Sequence, residues 1–298
     1  KDTKKGDKVN KRFVVLLLTA LLYGCENLKV PEPVEKTNGI RLLTSNSLSA
    51  FDGGLLAFAA GKASGTYDEI WEAHGTAEGE AVLLQSHDYP SDGSRLYLRG
   101  YYPSAEPGSN GVVYRLDGSR DLLVSNEQYG SLADMFWQTG KRFTFRHLLT
   151  QLNIRVRVSE GYPADARLIR MQIGGSHPDM LLDLNKGTLL AMGEPVVLTV
   201  WESDGADVWL SETYPDTPVA TTMLEAAVPL TFYATVAFPD GSSLAYEALP
   251  VRFGEAGGMA QAGTSYTLSV TLDAEKEKLS VATAVTGWTE KEGGEVEL

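Results

Sequence analysis

The chain has 298 residues, with 39 Asp and Glu against 26 Lys and Arg, a net charge of −13 and a single cysteine, Cys25. An acidic chain is repelled by the phosphate backbone, so this composition excludes nucleic acid as an expected partner. One cysteine excludes an internal disulfide and the paired thiols of a structural zinc site.

The first 24 residues have the layout of a secretory signal. Residues 1–12 contain six basic and two acidic residues, and residues 13–23 are almost entirely apolar. Eleven residues at about 1.5 Å rise give roughly 16 Å of helix, which is too short for a permanent membrane span. We therefore expect residues 1–24 to be a signal peptide. Removing them takes away those eight charged residues and leaves a net charge of −17.

The tetrad Leu22-Tyr23-Gly24-Cys25 resembles the lipobox of bacterial lipoproteins, in which cleavage leaves an acylated cysteine at the new N-terminus. Several acyl chains hold a protein stably on a membrane, whereas a single chain binds only marginally. We therefore predict that Cys25 is lipidated; a free, buried Cys25 with signal cleavage elsewhere is the alternative. Residues 25–39, with two prolines, are predicted to be a flexible tether.

From residue 40 onward, apolar and polar residues alternate, which is typical of half-buried β-strands. The clearest segment is residues 265–272, where Tyr266, Leu268, Val270 and Leu272 share one face. The same pattern predicts strands at residues 94–103, 152–158, 168–173, 230–238 and 278–285.

Turn residues and one short helical pattern interrupt the strands. Residues 237–246 are predicted to form a hairpin around a Pro-Asp-Gly turn. Residues 183–187, DLNKG, read as a hairpin turn rather than a calcium loop, because the third oxygen ligand and the distant Glu are missing. Residues 131–137, SLADMFW, have helical spacing, and we expect a turn or two of helix there.

Many short strands with regular turns predict an all-β protein built from sandwiches rather than a parallel α/β sheet. The polar residues 159–166 lie between two strand-rich halves and would serve as a junction. We therefore predict two antiparallel β-sandwich domains, residues 40–158 and 159–298. A single sandwich with a long insertion is the alternative.

Motifs for catalysis are missing from the sequence. It contains no His-Glu-x-x-His pair, no Gly-x-Ser-x-Gly elbow and no Gly-Lys-Ser/Thr phosphate loop. The histidines are scattered without the spacing of metal ligands: His74, His87, His147 and His177. We therefore expect a protein that is not an enzyme and that uses no metal and no cofactor.

Four aromatic residues raise the question of a sugar-binding surface: Tyr101, Tyr102, Trp201 and Trp209. Aromatic residues on alternating strands usually belong to the core, so we expect core positions for them. A stacking platform for sugars is the alternative, and it requires Trp201 and Trp209 to line one open face.

A set of segments together resembles the fimbrillin and Mfa-like lipoproteins of Bacteroidales, the subunits of type V pili and their relatives. The segments are the lipobox cysteine, IRLLTSN at Ile40, LLAFAA at Leu55, GEAVLL at Gly79, LYLRGYYPS at Leu96, FTFRHLLTQLNIRVRV at Phe143, AGTSYTLSVTL at Ala262 and VTGWTE at Val285. They span nearly the whole predicted mature chain. The segment around Phe145-x-His147 and the last strands with Trp288 are the most specific.

The resemblance implies two tandem transthyretin-like β-sandwich domains in a fimbrial subunit, structural or adhesive, that reaches the cell outer membrane as a lipoprotein. In polymerising members of the family, a trypsin-like or Arg-specific protease removes the first strand of the N-terminal domain, and a neighbour's strand fills the groove. Carried over to this chain, Arg41 is the candidate cleavage residue; an Arg41 that is never cut is the alternative. The implied partners are other fimbrial subunits by strand addition, the outer membrane through Cys25, and a host, bacterial or glycan receptor.

The place of the subunit within a fimbria stays open among stalk, tip and anchor. Only TEKEGGEVEL follows Trp288, which would suit a tip or anchor subunit. A surface glycan-binding lipoprotein is the alternative function, because it would share the lipid anchor, the tether and the β domains.

Overall fold

The described part of the chain is all-β, as the alternation of its residues predicts. The computed structural model describes residues 39–45, 54–108, 111–205, 208–253, 258–273 and 280–286. No helix in these ranges is long and apolar enough to cross a membrane. The strands are β1 (Leu42–Thr44), β2 (Leu56–Gly61), β3 (Glu69–Gly75), β4 (Glu80–Leu83), β5 (Leu96–Tyr102), β6 (Pro107–Gly108), β7 (Gly111–Arg115), β8 (Leu123–Gly130), β9 (Arg142–Phe143), β10 (Phe145–His147), β11 (Thr150–Val158), β12 (Arg167–Ser176), β13 (Asp179–Asp183), β14 (Thr188–Met192), β15 (Val196–Glu202), β16 (Val208–Trp209), β17 (Ala220–Leu224), β18 (Leu230–Ala237), β19 (Ser243–Val251), β20 (Ser265–Leu272) and β21 (Ser280–Thr286).

The first sheet has eight strands in the order β10-β8-β5-β2-β3-β4-β1-β9. Its end strands, β9 and β10, are separated by Thr144 alone, so the sheet curls until its two ends meet. The Asn126 N–H in β8 donates to the Thr144 carbonyl at 3.3 Å, and the Gln128 amide donates to the Arg142 carbonyl at 3.1 Å. The sheet therefore closes around an apolar interior. Buried residues of this interior include Leu42, Phe58, Leu98, Phe136, Phe143 and Phe145.

A second sheet, in the order β14-β13-β7-β6, covers the outer face of β2. Every residue of β2 is buried, because alternate side chains face the interior of the closed sheet and the second sheet. The hairpin β13–β14 follows the predicted junction in sequence, yet β13 pairs with β7, which precedes it. Residues from both sides of the junction thus share a sheet, and the predicted domain boundaries stay a prediction.

The remaining strands form a β-sandwich. Its sheets have the orders β17-β11-β20-β21 and β15-β12-β18-β19, and β16 pairs with β12 beside β15. Apolar side chains of the two sheets meet between them, among them Leu152, Ile154, Met171, Phe232, Leu268 and Val270. Two strand pairs depart from the predicted antiparallel arrangement: β11 runs parallel to β20, and β1 runs parallel to β9.

The strands predicted from alternation are confirmed. β20 has the predicted bounds, with Tyr266, Leu268, Val270 and Leu272 buried on one face. The hairpin predicted at residues 237–246 is β18–β19, in which Ala237 pairs with Ser243. Residues 183–187 form the predicted hairpin turn, where the Gly187 N–H donates to the Asp183 carbonyl at 2.7 Å.

The predicted helical turn at residues 131–137 is wrong. Ser131 and Asp134 exchange backbone hydrogen bonds of 3.0 and 3.1 Å, which closes a tight turn instead. Phe136 is buried, its N–H donates to the Tyr89 hydroxyl at 2.8 Å, and its ring packs against Gly130. Burial of this ring in the closed sheet outweighs the weak helical tendency of a short segment.

Gly100 should be intolerant of a side chain. A Cβ there would lie 2.6 Å from the Phe145 ring and 2.9 Å from the Phe58 ring. Overpacking a core costs about 1–3 kcal/mol, so Gly100→Ala should lower the free energy of unfolding by that amount. Gly39→Ala is the control, because a Cβ at Gly39 meets nothing within 4 Å. Urea denaturation measures both variants, and equal stabilities would contradict the packing described.

Candidate functional site

The segment 39–45 fills a narrow place in the closed sheet, between β4 and β9, which we call the β1 slot. β1 pairs with β4 in antiparallel register through Leu42 and Leu43. On its other side it pairs in parallel with β9 through Leu43 and Thr44. Just before β1, Gly39 forms a bridge with Asp88. Both edges of this short segment are therefore occupied.

Side chains of the segment alternate between the interior and the solvent. Ile40, Leu42 and Thr44 are buried inside the closed sheet, and Leu42 is 0% exposed. Full burial of a leucine side chain contributes about 1.5–3 kcal/mol, so Leu42 is the main apolar anchor of the segment. Arg41 points outward.

Hydrogen bonds hold the segment beyond the strand itself. The Ile40 N–H donates to the His87 carbonyl at 2.9 Å, and the Thr44 N–H donates to the Gly79 carbonyl at 2.7 Å. From the β9 side, the Arg142 guanidinium donates to the Thr44 carbonyl at 2.9 Å. The groups of the segment that make these hydrogen bonds all belong to its backbone. Any other extended chain could therefore make the same bonds.

Arg41, the predicted cleavage residue, lies on the outer face directly before β1. Its guanidinium donates twice to Glu80 Oε1, from Nε at 3.2 Å and from Nη2 at 3.1 Å. The Arg41 side chain is 64% exposed, so this ion pair contributes at most about 1 kcal/mol. A cleft of about 190 Å³ lies beside it, between residues 39–41 and 80–87. The side chain is accessible to a protease, whereas the Arg41–Leu42 peptide bond lies within the paired segment.

Cleavage after Arg41 would divide the segment rather than remove all of it. Ile40 would leave with the N-terminal fragment, while Leu42–Thr44 would stay attached to the rest of the chain. The new α-amino group would lie next to the buried Leu42 side chain, where desolvating a charge is unfavourable. Opening the whole β1 slot therefore requires this three-residue strand to leave its pairing as well.

His87 lies at the end of the β1 slot where Ile40 is bound. Its ring stacks on Trp71, with ring centroids 4.0 Å apart and planes at 15°. Burial lowers the pKa of the His87 imidazole, against the opposing effect of Glu69 and Asp88. Burial therefore favours the neutral form of the ring, which packs on the Trp71 indole.

The other site residues named from the sequence have different positions. Cys25 lies outside the described residues, so its lipidation stays a prediction. His147 pairs with Asp121, and His177 pairs with Glu225. Within the described ranges, no group of three His, Cys, Asp or Glu side chains converges on a metal position.

The tryptophans do not form one open face. Tyr101 and Tyr102 are core residues, as predicted. Trp201 packs against the core of the sandwich, whereas Trp209 is 58% exposed. The Trp209 ring lies 5.6 Å from the Arg167 guanidinium on the outer side of β12. Core burial was the wrong expectation for Trp209, because β16 is a short edge strand with solvent on its outer side.

Sequence reasoning missed Glu80, whose carboxylate binds Arg41, and His87, whose carbonyl accepts the hydrogen bond of the Ile40 N–H. The apolar run AVLL, at residues 81–84, is the signal that could have placed β4. It does not give the partner strand, because the contact between Arg41 and Glu80 joins residues 39 positions apart.

No family model matches the chain, and no curated protein matches it. A candidate cell adhesion protein from Bacteroides uniformis ATCC 8492 has a similar structure, with a TM-score of 0.57 at 19% identity over 87% of this chain and 100% of that chain. A second candidate cell adhesion protein, from Bacteroides fragilis NCTC 9343, gives 0.51 at 14% identity over 80% and 86%. The tip fimbrial protein Mfa3 from Porphyromonas gingivalis, with a C-terminal truncation, gives 0.46 at 9% identity over 84% and 100%. The likeness to the two Bacteroides proteins confirms, at the level of the fold, the resemblance drawn from the sequence.

Leu42→Ala should loosen the segment in the β1 slot. Truncating a fully buried leucine costs about 2–5 kcal/mol, and we expect a loss of stability in that range. Because the segment would open more often, cleavage at Arg41 by trypsin should also become faster. Leu43→Ala is the matched control, since Leu43 is only partly buried. Equal losses from the two variants, measured by denaturation and timed proteolysis, would contradict the register of β1.

Proposed function

We propose that this protein is a surface-anchored subunit of a fimbria, with a structural or adhesive role. The observation that carries the proposal is the β1 slot, a strand position with two pairing edges and an apolar floor. Strand edges above an apolar groove bind an added strand through main-chain hydrogen bonds and alternate side chains. The fold shared with two candidate cell adhesion proteins of Bacteroides supports a role at the cell surface.

In this proposal the N-terminal residues of the mature chain attach the protein to the membrane. Lipidation of Cys25 would hold the mature chain on the cell outer membrane, and residues 25–39 would act as the tether. The basic and apolar layout of residues 1–24 and the lipobox-like tetrad support this step.

Assembly in this proposal begins with proteolysis after Arg41. The chain contains no Lys or Arg between Arg41 and Lys62, so Arg41 is the last site for a trypsin-like protease before β2. Once the fragment ending at Arg41 is removed and Leu42–Thr44 has left its pairing, a strand of a second subunit enters antiparallel to β4, with apolar side chains in place of Ile40 and Leu42. Such a head-to-tail contact need not close, so repeated addition gives a filament.

Controlled proteolysis tests this proposal. A trypsin-like protease should produce a chain beginning at Leu42, and electron microscopy should then show filaments. Arg41→Gln should stay uncut at this position and form none. Lys36→Gln, which removes the preceding basic residue, is the control and should assemble like the wild type. A preparation that is fully cut after Arg41 and still forms no filaments would refute the assembly step.

A further inference from the structure

Exposed apolar side chains are concentrated in β14 and at the start of β15. Leu190, Met192, Val196 and Val197 are 46%, 41%, 37% and 46% exposed. β14, which contains the first two, is an end strand of the sheet β14-β13-β7-β6. An edge strand with exposed apolar residues favours pairing with another strand.

The outer face of this sheet carries an apolar row that runs across three strands and stops at the open edge. Leu190 in β14 is opposite Leu181 in β13, and Leu181 is opposite Val113 in β7. Val113 and Leu190 are both exposed, and Leu181 is partly exposed. At the β14 edge the row ends at Leu190.

The strand register shows which backbone groups of β14 face outward. The Leu116 N–H donates to the carbonyl of Pro178, the residue just before β13, at 2.6 Å. Backbone groups of successive residues in a strand point to opposite sides, so those of Met180 and Leu182 also bond to β7. The backbone groups of the odd-numbered residues of β13 therefore bond to β14. Their partners in β14 are Thr188, Leu190 and Met192. The backbone groups of the residues between, Leu189 and Ala191, therefore point to the open edge. Among the described strands, none pairs with that edge.

We propose that a second copy of this chain adds to this edge, with β14 antiparallel to β14 about a twofold axis at Leu190. Leu189 then exchanges backbone hydrogen bonds with Ala191 of the partner subunit, and the two Leu190 side chains face each other. The two four-stranded sheets become one sheet of eight strands. The apolar row then continues from Val113 of one copy to Val113 of the partner subunit.

Charges at the two ends of β14 favour a second copy as the occupant. Lys186 lies in the turn before β14, where it pairs with Asp183 at 3.2 Å, and Glu194 lies just after β14. In the proposed dimer the Lys186 end of one β14 therefore lies beside the Glu194 end of the other, and the twofold axis repeats this arrangement. The Lys186 side chain is 70% exposed, and Glu194 is exposed. Between them, β14 has the sequence TLLAM, so no like charges meet within the strand. The net acidity of the chain opposes association, but it is largely screened at physiological salt.

The contact differs from the filament contact proposed above. It is isologous, so it closes after two copies and gives a dimer. It uses β14 rather than the β1 slot, so it needs no cleavage. Arg41→Gln should therefore dimerise like the wild type, which separates failure of this proposal from failure of the proposed function.

Charge reversal tests the register. Sedimentation of the full-length chain, in one detergent throughout, should show a dimer whose fraction rises with concentration. Lys186→Glu and Glu194→Lys should each weaken the dimer several-fold, because each substitution places like charges at the same end of the paired strands. The double variant should restore it. Val82→Lys, at a similarly exposed valine in β4, is the control and should have no effect.

A cysteine at the axis tests the same register by a second route. Directly opposite residues of a non-hydrogen-bonded pair have Cα atoms about 4.5 Å apart, which is within reach of a disulfide. In a Cys25→Ser background, Leu190→Cys should therefore form a covalent dimer on oxidation, and Val82→Cys should not. The proposal is overturned by a wild type that stays monomeric, by a double charge variant that does not recover, or by equal cross-linking at positions 82 and 190.

Discussion

The closed N-terminal sheet depends on a short segment that fills the place between β4 and β9. Without β1, the edges of both neighbours would be unpaired and the apolar interior around Leu42 and Phe143 would face solvent. Most strands of the closed sheet are longer than the three residues of β1. The strand that completes the closed sheet is therefore held by backbone hydrogen bonds and by a few buried side chains, which is the kind of contact that an added strand can make.

The rest of the chain is held together by contacts that do not involve that segment. The hairpin β13–β14 carries the chain from the sandwich to the closed sheet, where Met180 and Leu182 pack on the outer face of β2. At its start, the His177 N–H and imidazole Nδ1 bond to the Glu225 carboxylate at 2.9 and 2.7 Å. These contacts lie outside the β1 slot. Among the strand positions of the described residues, the one between β4 and β9 is therefore filled by a short segment of the chain itself, whereas the outer edge of β14 is open.

Period-two alternation predicted which segments are strands and which face of each is buried, and β20 shows how well it does so. The same alternation does not show which strands pair with each other. The face on which a side chain lies depends on local spacing, whereas strand pairing joins residues far apart in sequence. This is why the parallel pairs β11–β20 and β1–β9, and the pairing of β13 with β7, were not predicted. Arg41 could be named from the sequence through a family resemblance, but Glu80 could not. At residues 131–137 the local pattern itself was misleading, because burial of the Phe136 ring in the closed sheet overrides the helical spacing.

Amide hydrogen exchange, before and after cleavage at Arg41, tests most directly whether the segment 39–45 occupies a replaceable position. In the intact protein, the amides of β4 and β9 that face β1 should be protected. After cleavage, removal of the fragment and release of Leu42–Thr44 from its pairing, they should exchange rapidly, and an added strand from a second subunit should restore their protection. If β4 and β9 stay protected after cleavage, with no strand added, the β1 slot does not open and the account of assembly is contradicted.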